Sequence, residues 1–137
     1  MDVRKLFIAS QLSREQLACV NVVKAGHNVF FTGCAGTGKT FLLKYIIDHV
    51  VPKRTTFVTA LTGVAALALG GTTLHSFAGI GLGNQPAVQM AATVNRSRQK
   101  RNWKEAQILI IDEISMLDAA LFEKLDYVGM TTSISIY

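Results

Sequence analysis

Asn28-Val29-Phe30-Phe31-Thr32-Gly33-Cys34-Ala35-Gly36-Thr37-Gly38-Lys39-Thr40 is the stretch that decides the fold. An apolar, β-prone run, Asn28 to Thr32, feeds a glycine-rich turn. The turn opens a helical pattern through Phe41-Leu42-Leu43-Lys44-Tyr45-Ile46-Ile47. Gly33, Gly38, Lys39 and Thr40 fit G-x-x-x-x-G-K-[ST], the phosphate-binding loop. Glycines let successive backbone N–H groups turn inward around an anion, and the helix N-terminus beyond adds partial positive charge. Lys39 is placed to reach the β- and γ-phosphates, and the Thr40 hydroxyl to ligate magnesium. A glycine-rich turn without a ligand is the bland alternative. The strand–loop–helix context favours a nucleotide site, with Gly33, Gly36, Thr37, Gly38, Lys39 and Thr40 as its binding set.

Working outward on the N-terminal side, Ser13 and Gln16 spell a capping box for a helix carrying Leu17, Val20 and Val23 and stopping near Gly26. Gln16 has two readings here, as a cap residue or as a reader of the adenine edge. Met1 to Ser10 holds only a short apolar run, too short for a secretory signal. On the other side, Lys39 to Val51 is a helix ended by Pro52, and Thr55 to Ala60 a second strand. Thr62-Gly63 opens a small-residue helix from Val64 to Leu69. Strand–helix alternation of this kind predicts a parallel, doubly wound α/β sheet.

Ile108-Leu109-Ile110-Ile111 is wholly apolar, as expected of a buried central strand, and it ends in Asp112-Glu113. An acid at that end suits a magnesium-holding aspartate, and Glu113 beside it suits a group that orients or deprotonates water. Two acids capping the next helix, Asp118 to Val128, are the structural alternative. Loop and acid pair together favour hydrolysis of a nucleotide over transfer to an acceptor, so a nucleotide kinase is disfavoured.

Half of the 137 residues are apolar and the formal charge is +5, which favours a polyanionic partner only weakly. Arg96, Arg98, Lys100, Arg101 and Lys104 with Trp103 form either a solvated charged face or part of a nucleic-acid track. Gly79-Ile80-Gly81-Leu82-Gly83 has the wrong spacing for a dinucleotide fingerprint and is expected to be a surface loop. Cys19 and Cys34 make no disulfide framework and suit a reducing compartment. His27, His49 and His75 have no zinc-ligand spacing. The apolar run Val64 to Leu69 is far too short to span a bilayer, so no membrane partner is expected.

Taken in order, Leu12–Gln16, Gly33–Thr40, Val58–Ala66, Thr72–Gly81 and Ile110–Asp118 resemble the Pif-type ATP-dependent DNA helicases of superfamily one. That branch moves 5′ to 3′ on single-stranded DNA. The resemblance implies a RecA-like motor domain with a parallel sheet flanked by helices. It implies that Gln16 reads adenine, that Asp112 and Thr40 serve Mg²⁺, that Lys39, Asp112 and Glu113 are catalytic, and that ATP is the substrate. It further implies that Thr62, Gly63, His75, Ser76 and Phe77 line a single-strand DNA path. Members act in DNA repair, recombination and telomere maintenance; a monomer, intracellular and nuclear or mitochondrial in a eukaryote, is the expectation. The family's later Gly-Asp-x-x-Gln-Leu-Pro element and second motor domain with its arginine finger do not follow. The expected organisation is an extension over 1–11, an incomplete motor domain over 12–128 and a divergent tail over 129–137, such as a truncated gene model or alternative transcript would give. Such a chain binds ATP without unwinding, or is a non-catalytic ATP- or DNA-binding regulatory fragment.

Overall fold

The computed structural model describes residues 9–132, which fall into two compact units that divide between Lys53 and Arg54. In the first, helix α1 (Arg14–Lys24) starts at a complete capping box: the Ser13 hydroxyl accepts from the Gln16 N–H, and the Gln16 carboxamide oxygen accepts from the Ser13 N–H. It stops in a Schellman turn. Gly26 adopts φ +82°, its N–H bonds the Val23 carbonyl, and the His27 N–H reaches back to Val22. Helix α2 (Lys39–His49) buries Leu42, Leu43, Tyr45 and Ile46. Leu42, Tyr45 and Ile46 close over Val20 of α1, which is fully buried, with Leu12, Val23 and Phe31 packed around them.

The strand expected over Asn28–Thr32 is not formed; residues 27–34 carry no regular structure. Apolar alternation records which side chains are buried, and a strand needs a paired neighbour as well. The alternation survives without the ladder: Phe31 packs on the first core while Phe30 is 72% exposed.

The second unit holds a three-stranded parallel sheet in the order β2-β1-β3, made of β1 (Thr56–Ala60), β2 (Thr72–Thr73) and β3 (Ile108–Asp112). Between them run α3 (Gly63–Ala68), α4 (Leu74–Ala78), α5 (Ala87–Arg96) and α6 (Lys100–Glu105), with α7 (Ala119–Thr132) after β3. Their core is Leu74, Phe77, Met90, Val94, Trp103, Leu125 and Val128. Buried Thr59 donates its hydroxyl to the Ile110 carbonyl at 2.6 Å, which ties β1 to β3. Gly71 lies so close to β1 that a side chain there would strike the Val58 carbonyl.

Two expectations change here. The sequence predicts a buried central place for Ile108–Ile111, yet among the described residues β3 pairs with β1 alone and is half-buried throughout. The strand paired on both sides is β1. Helix α7 also runs four residues past Val128, with Gly129 and Thr132 buried. Packing outweighs the weak helix propensity of Gly and Thr. Ile134 and Ile136, considered as an edge strand or a frayed tail, lie outside the described residues. No helix among those residues is long and apolar enough to cross a membrane.

Candidate nucleotide-binding and catalytic site

The predicted residues fall into two groups, one in each unit. In the first, the loop closes on the Cys34 carbonyl, which accepts from the Thr37 N–H at 3.3 Å and the Thr37 hydroxyl at 2.8 Å. Gly36 and Gly38 take φ +81° and +83°, left-handed conformations that ordinary side chains resist. The Lys39 ammonium folds back over the loop and donates to the carbonyls of Gly33 (2.5 Å) and Cys34 (2.9 Å). It therefore sits over the ring of atoms that a phosphate would enter. Thr40, next in line, is exposed. Gln16 donates its amide to the Gly38 carbonyl at 3.3 Å, so the one predicted site residue outside the loop does reach it. Beside it, Glu15 accepts from the Ser13 hydroxyl. A backbone N–H bond and this hydroxyl hold its carboxyl below the usual carboxylate range.

In the second unit, parallel pairing points all three strand ends the same way, and the predicted residues sit just beyond those ends. Ala60 is in register with Asp112 and with Thr73. Thr62 caps α3, its hydroxyl accepting from the Ala65 N–H at 3.2 Å. Thr73 caps α4 in the same manner through Ser76. Ser76 is exposed and His75 half-buried.

Phe77 is different. Its ring is 2% exposed and wedged between Phe57 and Trp103 at centroid distances of 5.1 and 5.3 Å. Trp103 is wholly buried and donates its indole N–H to the Ala78 carbonyl. Of the two readings of this run, the structure has the solvated face: the indole is core and unavailable for stacking, and Arg96, Arg98, Arg101 and Lys104 are exposed. The helical spacing of Leu74, Phe77 and Trp103's own short helix placed the rings inward, where burial of so large a surface is worth more than solvent exposure.

At the end of β3, the Asp112 carboxylate accepts from the Glu113 N–H at 2.9 Å. Glu113 is exposed and adopts φ +59°, ψ +38°, alone among the described non-glycine residues in having a positive φ. A left-handed glutamate costs about 1–2 kcal/mol, and such strain gathers at functional positions. Neither acid caps α7. That duty falls to Asp118, whose carboxylate accepts from the Leu121 N–H at 2.7 Å. Asp118 and Thr73 were not read as caps, although aspartate and threonine are the residue types that favour that place; nothing in the sequence marks Glu113 as left-handed.

Against known families, residues 11–133 match the model described as PIF1-like helicase. The chain belongs to that family. A PIF1-like relative from Danio rerio, an ATP-dependent DNA helicase PIF1, is 54% identical over 122 residues, which are 89% of this chain and 19% of the relative. The crystal structure of the Pif1 helicase from Candida albicans aligns with TM-score 0.83 and 42% identity, over 88% of this chain and 28% of that one. A Bacteroides Pif1 solved with ADP-AlF4 aligns with TM-score 0.69 at 32% identity, over 88% of this chain and 28% of that one. The chain spans about a fifth of the length of the curated relative that it matches. The parallel sheet flanked by helices is the RecA-like arrangement of part of these PIF1-like helicases.

Proposed function

We propose that this chain is the ATP-binding part of the first motor domain of an ATP-dependent DNA helicase that moves 5′ to 3′ on single-stranded DNA, in repair, recombination and telomere maintenance. The observation that carries the reading is the pair ending β3: Asp112 anchors the turn, and Glu113 is held exposed in a strained conformation with its carboxylate not spent on a helix cap. The ATP-dependent helicase activity of the relatives and the ADP-AlF4 complex of the Bacteroides protein support the same reading.

Lys39 exchanges the Gly33 and Cys34 carbonyls for phosphate oxygens, so that its charged donor meets charged acceptors in place of neutral ones. Glu113 orients the attacking water and takes its proton. Thr62, Gly63, His75 and Ser76 meet the DNA strand, while Phe77 supports the last two from the core.

Among the described residues, no three His, Cys, Asp or Glu side chains gather into a cage for a metal ion. Thr40 and Asp112 each offer the kind of oxygen that Mg²⁺ takes, an ion that keeps several waters and needs only one or two protein oxygens beside substrate phosphates. When bound with ATP, the ion neutralises charge that develops on the phosphates.

ATP binding and turnover, measured side by side, test the reading. Lys39→Ala should weaken ATP binding at least tenfold, and Glu113→Gln should keep binding while cutting any turnover about a hundredfold or more, the range of a lost acid–base group. Turnover unchanged in Glu113→Gln removes its assigned role. A non-catalytic ATP- or DNA-binding fragment is the second reading. An arginine finger is worth about 10³–10⁵ in rate where one operates. These 137 residues alone should accordingly bind nucleotide and separate no strands; robust unwinding by them overturns this part of the proposal.

A further inference from the structure

Gln16 does more than complete the cap of α1. Its carboxamide oxygen accepts from the Ser13 N–H at 2.9 Å, which commits the nitrogen to the opposite end. There it donates to the Gly38 carbonyl at 3.3 Å. That same carbonyl accepts from the Leu42 N–H at 2.9 Å, the first bond of α2. A second observation agrees: a Cβ on Gly38 would lie 2.7 Å from the Gln16 amide nitrogen, so the carboxamide fills the space beside the glycine. Gln16 is half-buried, and the helix beneath it is fixed by Val20 packing on Leu42, Tyr45 and Ile46 of α2.

We infer that Gln16 is a positioning residue for the phosphate loop: it links the cap of α1 to the residue that joins the loop to α2, and so holds Gly38, Lys39 and Thr40 ready before a nucleotide arrives, whatever base that nucleotide carries. One donor and one acceptor at this reach are what a glutamine offers. Glutamate would set a carboxylate against the Gly38 carbonyl, and an apolar residue would leave both ends of the link unmade. The loop would then have to be ordered at the expense of phosphate affinity. This inference rests on residues 33–40 being a phosphate site, and it differs from adenine reading in what it predicts for a ligand without a base.

The test is the affinity of the 137-residue chain for ATP, GTP and inorganic tripolyphosphate, each with Mg²⁺, well below the melting temperature. Gln16→Leu should weaken all three by a common factor of about three to ten, the value of one neutral hydrogen bond. Gln16→Met, unbranched and of matching length, is the second variant, so a folding defect in one leaves the other readable. Ser13→Ala, which removes the hydroxyl but keeps the backbone N–H that holds Gln16, should weaken tripolyphosphate binding less than Gln16→Leu does; an equal loss would mean that the cap alone, and not the Gln16 link, orders the loop. Weakening of ATP alone overturns the inference in favour of base reading, and no change with any ligand overturns it outright. Loss of tripolyphosphate affinity in Lys39→Ala is the separate check on the phosphate site; without that loss the underlying site assignment fails, whatever Gln16 does.

Discussion

Glu113 pays for its place in backbone conformation. At φ +59° its Cβ crowds the following carbonyl, a cost of about 1–2 kcal/mol that glycine would not bear. Glycine instead loses more chain entropy on folding, about 0.5–1 kcal/mol. The first term is the larger, so Glu113→Gly should leave the stability of the chain unchanged or raise it by up to about 1 kcal/mol, in contrast to most substitutions. Glu113→Val, branched at Cβ where the left-handed region is least tolerant, should lower it by about 1 kcal/mol or more. Urea denaturation of the three proteins measures both. A clear loss of stability in Glu113→Gly would mean that the carboxylate stabilises the fold and is not held there against it.

Among the elements, α6 divides most sharply, most of its charges exposed and its one ring turned in. Trp103 is buried at 0% exposure, stacked near Phe77 and bonded to Ala78, and Asn102 donates to the Phe77 carbonyl at 2.9 Å. The helix thus fastens α4, which carries His75 and Ser76. Trp103 is the single tryptophan of the chain, so its fluorescence is a clean reporter. Its emission should be blue-shifted and should not be quenched by a single-stranded oligonucleotide at saturating concentration; quenching would return the indole to the nucleic-acid surface. Trp103→Ala should cost about 3–5 kcal/mol. What the sequence made legible here follows from local signals. The capping box at Ser13 and Gln16, the loop glycines and the period of α2 were all readable, because each is written within one short local stretch. The missing strand at Asn28–Thr32, the pairing of β3 with β1 alone among the described residues and the inward turn of Trp103 were not. Each depends on which distant segment is at hand to pair with or cover it, and a sequence pattern records only the need. The left-handed Glu113 was unreadable for a different reason, since it runs against the preference of its own residue type.

At the scale of the whole molecule, the two hydrophobic clusters share no residue: one gathers Val20, Leu42, Tyr45 and Ile46, the other Leu74 to Val128. Leu42 and Leu125 are 3% and 0% exposed at the centres of these clusters. Truncating either to alanine should cost about 2–5 kcal/mol. Each loss should appear first in the amides around the damaged core. Hydrogen exchange therefore should show Leu42→Ala stripping protection from α1 and α2 while α5 and α7 keep theirs, and Leu125→Ala doing the reverse. ATP sharpens the measurement. At a hundred times its dissociation constant a ligand stabilises its host by about 2.7 kcal/mol. If Lys39 and the loop supply most of the grip, that gain falls on α2 in the parent protein and in Leu125→Ala alike, and it vanishes in Leu42→Ala. Should Leu125→Ala also abolish the gain on α2, the grip on ATP depends on the second unit as much as on the loop, and Asp112 would carry binding as well as chemistry.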